Sequence, residues 1–336
     1  MKFYDSLPQL LDKETSVVWI GAVSFESRCT GSVGQLRREG YSISRAIAFD
    51  YPTNLLPRGD GELNREYNRR ELYGLLGTAL ELRVMHPYRY AEFVGELFRI
   101  SNELSPETES PTFVIDITCL TKIHTIALAY WFYSAPTARV VLAYSQPELY
   151  GNPSKNTWGR GKWTSTFLVR LSLDSTEPYS STSAIAILGH EGDRLRLALS
   201  EAEASEGLVI KVIPRDPASR LLQVSNAQNA WLFVEIENGI RQNFRILTMA
   251  ARDLDALATA VVELVRLARA KKSRIVLCPF GPKPLAFIVA NLCLSIYPEN
   301  TWLSYPTPLS YDPEYSSGYK YTLWIDPSEL SSSESP

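Results

Sequence analysis

Residues 114–128 read VIDITCLTKIHTIAL, an apolar β-forming run that ends on an acid and passes into a helical pattern at a lysine. Asp116, Thr118, Thr121 and Lys122 stand at that junction. The start of a helix presents backbone N–H groups that favour anions, and hydroxyls with a lysine add further donors. Thr118, Thr121 and Lys122 therefore suit a phosphate. Asp116 would orient the lysine, or accept from a ribose hydroxyl or a base. The same residues also suit a structural job, a threonine capping a helix beside a solvated lysine.

Similar junctions recur along the chain. GAVSFESR supplies Ser24, Glu26 and Arg28, FDYP supplies Asp50 and Tyr51, and HPY supplies His86. Later, GHEGDR supplies Glu191 and Arg194, and CPFGPK supplies Gly281 and Lys283. Gly281 and Pro282 before Lys283 predict a tight turn that brings backbone close to a ligand. Glu26 with Arg28, and Glu191 with Arg194, equally suit internal ion pairs that fix their loops. Trp158, Arg160, Lys162 and Trp163 lie in a glycine-rich stretch, 151–163, that could stack on nucleic-acid bases or simply anchor a loop. Cys119 has no assignable histidine base and reads as a buried thiol.

Other chemistries lack their motifs. Neither half carries GxGxxG after its first strand, and GxxxxGK[ST] is missing, so no resident nucleotide cofactor is expected. Four cysteines without a CxxC pair and three scattered histidines give no metal set. A net charge of −3 gives no global drive toward DNA or an anionic membrane. No apolar run approaches the roughly 20 residues of a membrane span, and the N-terminus lacks a secretory core, so a cytoplasmic protein with reduced thiols is expected.

The elements that must position these residues alternate β and α. SVVWIGAV, SRAIAFDYP, ALELRVM, FVIDIT and ARVVLAYSQ read as strands, with helices between most of them. A second series starts at SAIAILG and continues through LVIKVIP, FRILTMA, SRIVLCP and NTWLSYP, with YKYTLWID as a late strand. This predicts an α/β protein of mostly parallel sheets. The two series also match one another in order. AIAFDYP parallels LVIKVIP, LELRVMHPYRYAEFVGELF parallels FRILTMAARDLDALATAVVEL, and FVIDITCLTK parallels RIVLCPFGPK, at a nearly constant offset. The expectation is two tandem Rossmann-like domains, 1–175 and 176–327, related by duplication as a pseudo-two-fold pair. A disordered tail, 328–336, would follow. The alternative is two unrelated domains sharing generic βα patterning.

DITCLTK resembles the D-[IL]-T-G-G-T-K signature of CARF domains, the Rossmann-like sensors of cyclic oligonucleotides in prokaryotic antiviral systems. Asp116, Thr118, Thr121 and Lys122 match it, whereas Cys119 and Leu120 replace its glycines. A duplicated arrangement on one chain resembles SAVED domains. The resemblance implies a sensor of nucleotides or cyclic oligonucleotides in antiviral defence. No nuclease or membrane effector segment is visible in the 336 residues, so such a sensor would act through a partner effector. Two other functions remain open on the residues alone. One is a nucleotide-processing hydrolase or phosphodiesterase using Asp116, Glu26 or Asp50 as acid or base. The other is a structural subunit of a defence or nucleic-acid complex.

Overall fold

A computed structural model describes residues 2–52, 60–104, 111–135, 139–150, 168–172, 178–190, 192–214, 220–308 and 316–328. The chain divides into two compact units. The first comprises residues 1–125, 134–152 and 310–336, and the second comprises residues 126–133 and 153–309.

The first unit is built on β1 (Lys2–Tyr4), β2 (Val17–Val23), β3 (Ile43–Asp50), β4 (Leu80–Val84), β5 (Thr112–Asp116) and β6 (Arg139–Gln146). Helices α1 (Gly31–Arg38), α2 (Asp60–Leu76) and α3 (Tyr90–Leu104) lie between them, and α4 (Lys122–Ser134) follows β5, its residues 126–133 counting to the second unit. β2 and β5 are buried along their whole lengths, as continuous apolar strands covered on both faces must be. Trp19 folds its indole over Gly21, two residues on along the same strand, where any Cβ would meet the ring at 2.4 Å. Trp19, Val33, Leu36, Ala46, Ala48 and Leu72 form a core on one face of the sheet. Phe49, pointing to the opposite face by the two-residue period of a strand, packs instead on Phe93 of α3. α1 follows a 3-10 turn at Ser27–Thr30 and ends before Gly40, whose φ of 82° needs glycine.

Between the two sets lies β7 (Leu149–Tyr150). The second unit contains β8 (Leu168–Arg170), β9 (Ser181–Ile187), β10 (Glu206–Ile213), β11 (Phe244–Ala250), β12 (Ser273–Pro279) and β13 (Thr301–Ser304). Its helices are α5 (Gly192–Ala202), α6 (Arg220–Gln228), α7 (Ala230–Glu237), α8 (Leu254–Ala270) and α9 (Lys283–Ile296). The Asp253 carboxylate caps α8 by accepting from Ala256 N–H at 3.3 Å. The chain then returns to the first unit for β14 (Ser316–Ser317), which pairs with β7, and β15 (Tyr321–Asp326).

The two large sheets share one plan. The first runs β4-β3-β2-β5-β6 and the second β11-β10-β9-β12-β13, all parallel. This is the Rossmann-like α/β arrangement expected from the alternating pattern, with the same strand order in both series. Each sheet adds an antiparallel strand at the corresponding edge, β15 beside β6 and β8 beside β13. β1 pairs with the far side of β15.

The expected boundaries need correcting. By their places in the sequence, YKYTLWID falls in the expected second domain and residues 168–170 in the first. In fact β15 completes the first sheet and β8 the second. The β6 edge offers unpaired backbone groups, and β15 satisfies them while burying Leu323, Trp324 and Ile325. Of the proposed tail, Ser328 is described and its N–H donates to Asp326 Oδ1 at 2.9 Å; residues 329–336 lie outside the described residues. Among the described residues, no helix is long and apolar enough to cross a membrane.

Because Trp324 is fully buried in the first unit's core, Trp324→Ala should destabilise the protein by about 3–5 kcal/mol. Urea unfolding measures this. A loss under about 1 kcal/mol would mean that β15 is not part of that core.

Candidate functional site

In an open parallel sheet the ligand crevice lies at the C-terminal ends of the strands, where successive connections leave in opposite directions. In the first unit that point falls between β2 and β5. The residues there are tied into one another. Thr118 N–H donates to Asp116 Oδ1 at 2.8 Å. Ser32, on α1, donates its hydroxyl to Asp116 Oδ2 and accepts from Trp19 Nε1–H at 3.0 Å. Thr118 Oγ1 accepts from Ser145 N–H, on β6, at 2.8 Å. Thr121 is the N-cap of α4, accepting from His124 N–H at 3.2 Å and donating to Pro87 O at 2.8 Å.

Thr118 and Thr121 are both buried, and these bonds make them builders of the turn. Their hydroxyls serve the strand end and the helix cap, the structural job their types also allowed. Lys122 occupies the first helical position and is half-buried. Leu120 points fully into the core, whereas Cys119 is half-buried and outside any disulfide.

The loop after β2 carries Ser24, Glu26 and Arg28. Buried Arg28 and half-buried Glu26 form an ion pair, Nη2 to Oε2 at 2.6 Å, with Nε donating to the same oxygen at 2.7 Å. Arg28 also donates to Ser145 O at 3.2 Å, and Ser316 donates to Glu26. Ser24 Oγ accepts from Glu26 N–H at 3.2 Å. This is the loop-fixing ion pair that the Glu-x-Arg spacing allowed. Burial pushes the neighbouring Cys29 thiol well up, with Cys119, Asp116 and Glu26 adding to the effect, so Cys29 stays a neutral thiol.

At the end of β3 the structure adds two residues that the sequence reading missed. Asp50 accepts from Arg65 and from Arg69, one turn apart on α2. Arg65 also donates to Tyr51 O at 2.9 Å. The available signal was a helix whose inward stripe is polar: Arg65, Asn68 and Arg69 precede Leu72 at helical spacing.

Tyr51 links this corner to α4. Its hydroxyl meets His124 Nδ1 at 3.0 Å and lies 3.4 Å from Thr121 N. His124 is fully buried and stacks on Phe93 at 4.1 Å. Burial holds its imidazole down to about 3, with the His86 backbone pulling the other way. His86, which the sequence placed at this edge, is thus a neighbour of His124.

The second unit fills the corresponding place differently. A Cβ at Gly189 would lie 1.9 Å from Phe280 O, and one at Gly281 would lie 2.4 Å from Ile187. The loops after β9 and β12 therefore pack backbone against backbone. The close approach expected at Gly281 is made to this neighbouring loop. Arg194, buried, donates from Nε to Pro306 O at 2.9 Å and lies over the Tyr305 ring at 4.6 Å. Lys283 is half-buried at the first position of α9. Glu191 and the Trp158, Arg160, Lys162, Trp163 loop lie outside the described residues.

Six of the first unit's candidates thus gather at one sheet end: Ser24, Glu26, Arg28, Asp116, Thr118 and Thr121. Lys122 follows directly, and Asp50 joins through Tyr51. No family model matches this chain, and no curated protein matches it in sequence.

The buried neutral His124 makes a prediction about pH. Unfolded, its imidazole takes up a proton near pH 6.5; folded, it does so only near 3. Stability is therefore intact above the unfolded value and falls as pH drops through this window. Between pH 7 and 5 the loss from this group should be about 2 kcal/mol. Denaturant melts of wild type and His124→Gln at both values measure it. The variant should lose that part of the slope; identical slopes would contradict a buried neutral His124.

Proposed function

We propose that this chain binds a nucleotide or cyclic oligonucleotide at the C-terminal edge of its parallel sheets and signals through a partner protein. One observation carries the reading. Lys122 and Lys283 each open the helix that follows the fourth strand of a sheet in the same order, at the point where α/β folds hold ligands. A lysine at the first helical position adds a full charge to the partial positive charge of the helix start, which suits a phosphate. The DITCLTK resemblance to CARF domains points to the same ligand class, and an antiviral sensing role follows from that resemblance alone.

The surrounding carboxylates favour binding over hydrolysis. Glu26 is held by Arg28 and Ser316, Asp50 by two arginines, and Asp116 by Ser32 and the Thr118 amide. A general base needs a lone pair aimed at the substrate's proton, and each of these carboxylates is engaged with donors of its own chain.

Calorimetry with a panel of linear and cyclic nucleotides tests the reading. At least one should bind, and Lys122→Ala should weaken it by roughly tenfold or more, the scale of a lost charge-assisted hydrogen bond. No binding across the panel, or binding indifferent to Lys122→Ala, would refute the proposal. Turnover of any member would transfer it to the hydrolase class.

A further inference from the structure

We infer that Arg65 and Arg69, held by Asp50, form a receptor for a phosphoryl group. This deepens the nucleotide reading and rests on it only for what carries the phosphate. The inference starts from a charge imbalance. Arg65 and Arg69 both direct Nη2 to the single Asp50 carboxylate. Arg65 is 6% exposed and Asp50 8%, whereas the Arg69 side chain is 28% exposed, so two guanidinium groups, one buried and one half-buried, meet one buried carboxylate. Among the described residues, the other anion within reach is Glu66, about half exposed, which contacts Arg69 Nη1 at 3.4 Å and is shared with Arg70 at 3.2 Å. Burial and the closeness of Arg69 both act against the positive charge on Arg65.

Hydrogen bonding shows the same deficit. The Nε–H groups of Arg65 and Arg69 are both buried and have no acceptor among the described residues. A structural ion pair normally matches charges one to one and satisfies its donors, because an unmet buried donor is costly. Among the described residues, Arg65, Arg69 and Arg70 share the two carboxylates Asp50 and Glu66, and two buried donors are left over on consecutive turns of α2. Guanidinium groups bind phosphate through such planar donor edges. Asp50 fixes both groups by one nitrogen each, which pre-orients them.

The position fits the same edge of the sheet. Asp50 ends β3, the neighbour of β2, and Arg65 also grips the Tyr51 carbonyl. The Tyr51 hydroxyl in turn reaches the Thr121 amide, one residue before Lys122.

The experiment is calorimetric titration of the full chain with inorganic phosphate and pyrophosphate at constant ionic strength, chloride serving as the control anion. Wild type should bind saturably. Arg69→Gln, which leaves Arg65 to hold Asp50, should bind roughly tenfold more weakly or worse, and Arg69→Lys should recover part of the loss. Phenylglyoxal labelling of wild type, read by peptide mass, needs no variant: phosphate should slow modification of Arg69. Absence of saturable binding, equal affinity in Arg69→Gln, or unprotected Arg69 would each overturn the inference. If nucleotides bind wild type and Arg69→Gln alike, this inference falls while the nucleotide reading stands. If phosphate protects Arg69 yet no nucleotide binds, the inference stands and that reading falls.

Discussion

The first unit depends on satisfying one buried carboxylate. Asp116 ends β5 in the middle of the sheet, at 2% exposure. An ionised carboxylate there must be met by donors, because the protein interior strengthens both a made and a missing hydrogen bond. Its partners come from different elements: the Thr118 amide turns the chain out of β5, and Ser32 brings in α1. Ser32 is itself fixed by Trp19 of β2, whose indole can lie flat because Gly21 has no side chain. Thr118 passes the connection to β6 through Ser145. One acid therefore ties β2, α1, β5 and β6 together at the edge where a ligand would sit. The turn that presents Lys122 inherits its geometry from that chain of bonds.

The second unit reaches the same strand order without an acid at this place. Leu277 stands where β5 has Asp116 in the matched segments. Instead of polar side chains, bare backbone at Gly189 and Gly281 lets two loops close on each other. A buried arginine, Arg194, does the local anchoring, bonded to a carbonyl and laid over an aromatic ring. The loop after β9 is further held by Ser225 and Asn229, which both donate to Gly189 O at 2.9 Å. Two chemically different solutions thus support a lysine at the head of the following helix. The first unit has polar depth around its lysine, whereas the second has a tight, largely backbone-built turn.

The sequence made the architecture legible where one strong physical signal acted alone. VVWIGAV, IAFD, TFVID and IVLCP are apolar without alternation, and only a strand covered on both faces uses such a run. The partner of a strand is a different matter. YTLWID declares itself a strand, but the edge it will join is a long-range choice that local pattern does not encode. That is why β15 and β8 belong to the sheets opposite to those their sequence positions suggested. The site was half legible for a related reason. Polar residues ending an apolar strand are visible as anomalies, so Asp116 and Asp50 stood out. Their partners Ser32, Arg65 and Arg69 sit in stretches that read as ordinary helix surface, and only the fold turns those faces inward. The glycine at 281 signals a close backbone approach without saying to what, and the fold sets it against Ile187 and the Leu188 carbonyl.

The central claim is that this edge of the first sheet is where a ligand is held. Backbone hydrogen exchange of the full chain, with and without a saturating mixture of cyclic di- and trinucleotides, tests it most directly. Slowed exchange is expected at the amides of residues 118–125 and 26–32, where the turn into α4 and the loop after β2 meet. Unchanged exchange in both segments, or protection confined to other parts of the chain, would contradict it.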